Sequence, residues 1–382
     1  MAQSSDVHTT YSVAANVSFS PHGVLVPPMS ADCFLEINSE TRKSKQAFKN
    51  LLAEANGRPV GTFTITDCCV IGWGGMVIDP IRQICWIGRS IGWNHSRLIE
   101  LDAVNDLVEV VDEETILIAS DWISGSLPGS NCGSTENAFL MAQPGFGIYG
   151  HWLIDVLPRL YFASGHTRWK DSALIAPAIP AWGAEMARAY GVDFGRHLAV
   201  KNRAVVRIKE LSIFSCIKYG VVLDKPLANA VWDVLRLAFA RDDIDIPGVS
   251  EKVYVSRSSM QTDRRFRNAQ EIERYFRSEG WMVLYPEQLS LASQAAIFAQ
   301  ASVIAGDDGS ALHNSIYSKP GTKILCMNFE RNNMFHASVA NVLEHKLAYL
   351  DSDAVQGNDG VREWEMPIPR LSVAIDSLER AQ

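Results

Sequence analysis

A chain of 382 residues and 42.2 kDa is too long for one ordinary core, so two domains are the natural division. With 47% hydrophobic and 20% charged residues it has the composition of a soluble globular protein. A formal net charge of −8 excludes nonspecific nucleic-acid binding, which needs a strongly basic surface.

The N-terminus, MAQSSDVHTTYS, lacks the basic and apolar stretches of a secretory signal. No apolar run approaches the roughly 18–20 residues of a membrane span, so a cytoplasmic location is expected, with peripheral attachment to a membrane face left open. The seven cysteines are scattered without a CxxC pair, which fits reduced thiols better than a zinc site or a disulfide framework. Residues 59–93 alternate β-formers with glycine turns and predict β-hairpins, with Trp73, Trp86 and Trp93 as packing residues. From about residue 150 strand and helix patterns alternate. Ala173–Ala176 reads as a strand, AWGAEMARAYG as a helix, Val205–Phe214 as a strand and PLANAVWDVLRLAFARDD as a long helix.

DDIDIPGVSEK, residues 242–252, is acidic and holds Pro247 and Gly248, which makes it the linker candidate. The expected organisation is an N-terminal domain over 1–241, this linker, a C-terminal domain over 253–350, and a tail over 351–382 packing back on the N-terminal domain. After the linker the alternation becomes regular: KVYVSR strand, NAQEIERYFRSEG helix, WMVLYPE strand, LASQAAIFAQA helix, SVIAG strand, SALHNSIYSKPG helix, TKILCMNF strand. That order implies parallel βαβ units in an α/β fold, with ligands at the carboxyl ends of the strands.

Three stretches carry chemistry. Between Ser256 and Gln270 stand Arg257, Arg264, Arg265 and Arg267 against the single acid Asp263, just past a strand end. Guanidinium forks suit phosphate oxygens, although a solvated basic loop has the same composition. Asn268 with Glu271 has the spacing of a helix cap and its reciprocal partner. In GDDGSALHNSIYSKPG, Gly306 and Gly309 allow a tight turn, Ser310 can cap the next helix, and the N–H groups of Ser310, Ala311 and Leu312 would face the crevice. Asp307 and Asp308 sit in that anion-favouring turn. In YGHWLIDVLPRL, His151 and Asp155 share a helix face, an arrangement that serves a general base or a buried structural pair, and Pro158 should end or kink the helix. No HExxH, DxD or Cys/His cluster predicts a metal site.

The order HWLIDVLPRL, VYVSR, RRFRNAQEI and LYPEQLSLASQAAIFAQASVIAGDDGSALHNSIYSKPG resembles glycosyltransferase family 61 over roughly residues 150–328. The resemblance implies a GT-B architecture of two Rossmann-like halves. It also implies inverting, metal-independent transfer of a hexosyl or pentosyl group from a nucleotide sugar to a glycan or glycolipid, in surface polysaccharide synthesis. His151, Asp155, Pro158 and Arg159 fall on the family's H…D…LPRL helix, and Ser256, Arg257, Arg265 and Asn268 on its S-R and R-x-x-N positions. Gly306, Gly309, Leu312 and Asn314 fall on its G-x-H-G-x-x-L-x-N loop. Asp308 stands where the family usually has His, Cys326 where it has Glu, and Ala269 where it has an acid. The resemblance therefore casts His151 and Asp155 as catalytic, and Arg257, Arg265, Asn268, Asp308, Gly309, Ser310, Ala311, Leu312 and Asn314 as donor-binding. A non-catalytic nucleotide-sugar or glycan-binding member of an assembly complex is the alternative from another class. A Rossmann oxidoreductase is disfavoured, because no GxGxxG follows a first strand.

Overall fold

A computed structural model describes residues 17–24, 31, 33–56, 59–71, 75–79, 84–86, 108–110, 116–118, 132–143, 145–166, 169–200, 205–214, 217–240, 246, 249–260, 266–329, 334–356 and 362–381. These residues form two compact units. Unit 1 takes the described residues of Met1–Val24 and Pro59–Ile217, and unit 2 those of Leu25–Arg58 and Lys218–Gln382.

Unit 1 is built on one mixed sheet. Strand β1 (Val17–Val24) pairs with β2 (Pro59–Ile71), which leads antiparallel into β3 (Met76–Asp79) and β4 (Ile84–Trp86). The hairpins expected over 59–93 are therefore present as far as Trp86; Trp73 and Trp93 lie outside the described residues. Strands β5 (Val108–Val110) and β6 (Ile116–Ile118) form a separate ribbon. The other half of the sheet is parallel and takes in β7 (Cys132–Leu140), β8 (Ala173–Ala176), β9 (His197–Ala199) and β10 (Val205–Phe214). They stand in the order β10-β7-β8-β9, with β2 antiparallel on the far side of β10.

Unit 2 opens with helix α1 (Ser39–Ala55), capped by the Asn38 side chain, which accepts from the Thr41 N–H at 2.8 Å. Beyond it, β11 (Lys218–Tyr219) and β12 (Val222–Leu223) form a short ribbon. The main sheet contains β13 (Lys252–Val255), β14 (Met282–Leu284), β15 (Val303–Asp307), β16 (Lys323–Asn328) and β17 (Lys346–Asp351). All are parallel, in the order β14-β13-β15-β16-β17. The strand order reverses between β13 and β15, the doubly wound arrangement whose ligand crevice opens at the carboxyl ends of those two strands. Burial explains why these strands read as continuous apolar runs rather than alternating ones. Tyr254 of β13 stacks on Phe276 with ring centroids 4.1 Å apart, inside a core shared with Leu325, Met327 and Ala348.

The observed division differs from the expected one in three places. The 31–56 segment belongs to unit 2, where Leu35 N–H donates to Leu347 O at 2.7 Å and Thr41 Oγ1 to Tyr349 O at 3.3 Å. The long helix Lys225–Phe239 also belongs there, burying Ala228, Val231, Trp232 and Leu235, with Arg236 Nε donating to Ile316 O at 2.6 Å. The boundary therefore falls before Lys218 rather than at residue 242; of the expected linker, 242–245 and 247–248 lie outside the described residues. The C-terminal tail packs on unit 2 as well. Its β18 (Asp353–Gln356) and β19 (Arg362–Glu365) pair, and the helix Ile368–Arg380 buries Leu371, Ala374, Ile375 and Leu378 in the core of the parallel sheet. An apolar helix face is drawn to the nearest uncovered sheet, and its sequence does not say which sheet that is.

Candidate active site

In unit 1 the site lies past the carboxyl end of β7. The chain runs from Leu140 into a helix made of three segments: Tyr149–His151, a wider π turn at Trp152–Val156, and Leu157–Ser164. Pro158 does not end this helix. It lacks the N–H that a regular turn would use, and the ladder is carried past it by the i→i+5 bond from Leu157 N–H to Trp152 O. The helix is fastened to the strand end by Arg159, which is buried and donates from Nη1 to Ala142 O at 3.0 Å. The Trp152 indole N–H donates to Phe146 O at 2.5 Å and holds the 145–148 turn. A side chain at Gly183 would meet that indole at 2.7 Å, so the neighbouring helix Ala181–Ala189 packs there only through glycine.

His151 and Asp155 meet as their spacing predicts, with Nδ1 2.7 Å from Oδ2. The carboxylate is buried, whereas the imidazole side chain keeps 24% of its surface exposed. The ring edge bearing Nε2 lies over Gly145, where a Cβ would fall 2.9 Å from Nε2. Gly145 has φ +78°, in the left-handed region that favours glycine. A carboxylate on Nδ1 fixes the proton there and leaves Nε2 as the basic nitrogen, the arrangement a general base requires.

In unit 2 the sheet's switch point brings together two of the predicted stretches. Arg257 follows β13 and Gly309 follows β15, and the guanidinium lies so close over Gly309 that a Cβ there would sit 1.8 Å from Nη1. Gly309 is extended, with φ 165°, so the close approach rather than backbone strain requires glycine. The serines on either side of Arg257 are held by a hub that the sequence reading did not identify. The buried Glu273 carboxylate accepts from Ser256 Oγ at 2.8 Å, from Ser258 Oγ, from Tyr285 Oη at 2.7 Å and from Arg277 Nη2 at 3.2 Å. Burial alone would raise this carboxyl, but the bonds from Ser258, Tyr285 and Ser256, with Arg277, hold it below its ordinary value. A pair of serines flanking an arginine was the available signal, though not for its partner.

The turn after β15 departs from expectation in detail. Ser310–Tyr317 is a 3₁₀ stretch rather than an α-helix, and its cap is Gly309, with no side-chain bond from Ser310. Leu312 N–H closes the first turn onto Gly309 O at 3.1 Å, and the N–H groups of Ser310 and Ala311 precede that bond. Two residues given donor-binding roles hold the loop together. The Leu312 side chain packs at Gly306, where a Cβ would meet it at 2.6 Å. Asn314 is fully buried and donates from Nδ2 to Gln294 Oε1 at 2.7 Å. Asn268 clamps Met366 through both its amide groups, at 2.8 and 3.1 Å, and makes no side-chain cap. Arg264 and Arg265 lie outside the described residues.

The two acids of the turn are buried and bond inward. Asp307 accepts from Tyr254 Oη at 2.7 Å and from the Arg257 N–H at 3.1 Å. Burial pushes its carboxyl up to about 7, against the opposing effect of those two bonds and of the Arg257 charge. Asp308 lies 3.0 Å from His336 Nε2, and both side chains are buried. Asp308, Cys326 and His336 also form a set whose ligand atoms lie within 4.8 Å of one another, although no metal motif is present in the sequence. Burial, then the charges of Asp308, Asp307 and Asp351, push the Cys326 thiol well above its ordinary value.

A parallel α/β unit that gathers an arginine and the first amides of a helical turn at its switch point places them where folds of this class bind ligands. Residues 149–325 match the family model described as Glycosyltransferase 61. The resemblance carried by HWLIDVLPRL and the GDDGSALHN loop is thereby borne out over that stretch. The comparison with curated proteins finds no match.

Proposed function

We propose that the chain is an inverting glycosyltransferase that moves a hexosyl or pentosyl group from a nucleotide sugar to a glycan or glycolipid in surface polysaccharide synthesis. The observation that carries this reading is the Arg257 guanidinium set over Gly309, beside the amides of Ser310 and Ala311, at the switch point of a parallel sheet. A diphosphate placed there would receive a charge-assisted fork and the first amides of a helical turn. Arg257 then stabilises the departing nucleoside diphosphate, so that the transfer step needs no metal of its own. The His151–Asp155 pair supports the other half of the reaction. Nε2 takes the proton of the acceptor hydroxyl as oxygen attacks the anomeric carbon, and Asp155 stabilises the resulting imidazolium.

A GT-B arrangement of the two units and a cytoplasmic site of action, with peripheral association with membrane-bound assembly machinery, complete the proposal. Among the described residues no helix is long and apolar enough to cross a membrane. The test is a thermal-shift and calorimetric screen of the full chain against nucleoside diphosphates and their sugars, followed by transfer assays with a panel of acceptors. A ligand that binds only the folded protein raises its melting temperature. We expect one nucleoside diphosphate and its sugar to do so in the parent and not in Arg257→Ala. A complete screen without a shift would refute the reading, and binding without transfer to any acceptor would favour the non-catalytic alternative.

A further inference from the structure

We infer that Asp308, Cys326 and His336 form a binding site for a divalent transition metal, best suited to Zn²⁺, buried behind the 306–310 turn. The three side chains come from separate elements: Asp308 follows β15, Cys326 lies within β16, and His336 lies in the first turn of the helix Met334–Val342. All three are buried, and one ligand atom from each lies within 4.8 Å of the others. Tetrahedral zinc bound to N, O and S holds its ligand atoms about 3.3–3.8 Å apart, so side-chain shifts of about an ångström or less would close the site. His336 Nε2 and Asp308 Oδ1 are already 3.0 Å apart.

The donor set also fits by chemistry. Thiolate, imidazole and carboxylate together suit zinc, whereas magnesium and calcium prefer oxygen ligands alone. In the metal-free chain the Cys326 thiol donates to Asn328 Oδ1 at 3.4 Å, with Asn328 Nδ2 on Asp351 Oδ1 at 3.0 Å, and metal binding replaces that S–H bond with a metal–thiolate bond. Three protein ligands leave a fourth position for water. The Cys326 thiol loses its proton to solvent on binding, so one thiolate and one carboxylate balance the dication. The site is independent of the catalytic reading above, and its test does not involve nucleotide or sugar.

The experiment uses the metal-stripped full chain, titrated with Zn²⁺ against a chromophoric chelator and, separately, with Co²⁺ by absorbance. We expect one ion per chain and a thiolate-to-cobalt charge-transfer band with tetrahedral ligand-field bands. Cys326→Ser should lose the band and weaken Zn²⁺ binding by about 100-fold or more, beyond the upper range for losing an outer-shell partner. His336→Gln should weaken binding similarly while retaining the thiolate band at higher cobalt concentration, and Cys33→Ser should match the parent. Circular dichroism establishes that each variant is folded. If Cys326→Ser is not folded, His336→Gln and Asp308→Asn carry the affinity test. Substoichiometric binding, a cobalt spectrum without a thiolate band, or parent-like affinity in the folded ligand variants would each overturn the inference.

Discussion

Two histidine–aspartate pairs stand past the carboxyl ends of parallel strands, one in each unit, and the difference that matters most between them is exposure. His151 and Asp155 are 2.7 Å apart, His336 and Asp308 3.0 Å. The first histidine keeps 24% of its side chain exposed; the second keeps 4%, against an aspartate that is also buried. The outer pair is bonded through Nδ1 and leaves its imidazole partly exposed, whereas the inner pair is bonded through Nε2 and is enclosed. Partial exposure suits the outer pair to the general-base role proposed for it, and enclosure suits the inner pair to holding an ion. Exposure, rather than residue type, separates the two proposed roles.

The sharpest way to break that contrast is to remove the accessible imidazole. His151→Ala should lower turnover by about 10²–10⁴-fold, the range for loss of a general base, and leave nucleotide-diphosphate affinity near the parent value. Asp155→Asn should slow turnover less, because an amide supports an imidazolium less well than a carboxylate does. The ionisation in the rate–pH profile that belongs to the histidine should vanish in His151→Ala. Parent-like turnover in both variants would make the outer pair as structural as the inner one.

The buried groups of unit 2 should declare themselves in stability rather than in rate. Asp307 is raised to about 7 from an ordinary 3.8, so the folded state holds its proton where the unfolded chain has lost it. Its contribution is fully present below about pH 4 and lost as pH rises through about 7. His345 has the opposite sign. Burial lowers it to about 4 from 6.5, so the unfolded chain binds the extra proton and stability rises with pH across about 4 to 6.5. The effects are on the order of 4 kcal/mol for Asp307 and 3 kcal/mol for His345, and in the parent the two oppose. Relative to the parent, Asp307→Asn should gain stability as pH rises from about 4 to 7, and His345→Asn should lose it over about 4 to 6.5. Urea unfolding across that range measures both, and variant-to-parent differences that stay flat with pH would show that neither group is charged as its burial implies.

How much of this was legible beforehand depended on whether a feature is local. The alternation after residue 252 could be read because each strand and helix carries its own period, and Arg257 because its charge excess follows directly on a strand. The His151–Asp155 pair could be read because one helix holds both members. Glu273 could not be assigned its role, because its four partners converge from two separate loops and its own helix. Asp308, Cys326 and His336 were equally hidden, since it is the parallel pairing of β15 with β16 and the helix after β16 that bring a strand end, a strand and a helix together. The unit boundary failed for a related reason: Trp232 and Leu235 mark a buried helix face without naming the surface it meets.

A smaller effect is expected at the switch point. Arg257→Ala should weaken nucleotide-diphosphate binding by about 2–4 kcal/mol, as when one partner of a desolvated charge pair is lost. Gly309→Ala should reproduce part of that loss without removing any charge, because its methyl group would occupy the space of the guanidinium. Arg274→Ala is the fitting control, since that side chain bonds only the Gln270 carbonyl of its own exposed helix face. Arg277 would be a poor control, because it bonds Glu273 and so reaches the loop that positions Arg257. Calorimetry with the nucleotide identified by the screen separates the cases, and equal affinities throughout would remove the arginine from the site.

The smallest effect tests why a carboxyl can be buried in this turn at all. Tyr254 Oη donates to Asp307 Oδ1 at 2.7 Å, and the phenol is itself raised well above its ordinary value, first by burial and then by that carboxylate. The bond favours the ionised acid, so removing it should move Asp307 further upward and leave one buried oxygen less satisfied. Tyr254→Phe keeps the ring stacked on Phe276, so packing should survive. The expected cost is about 1–2 kcal/mol above pH 7, where Asp307 is ionised, and less near pH 5, where it is protonated and needs the donor less. The sign follows from linkage: the variant's folded state keeps its proton to higher pH than the parent's, so its stability falls more steeply as pH rises. Paired urea unfolding of parent and Tyr254→Phe at pH 5 and pH 8 measures the difference. A cost that is the same at both values would mean that the hydroxyl serves packing alone, and that the Arg257 N–H and guanidinium suffice to hold Asp307 in place.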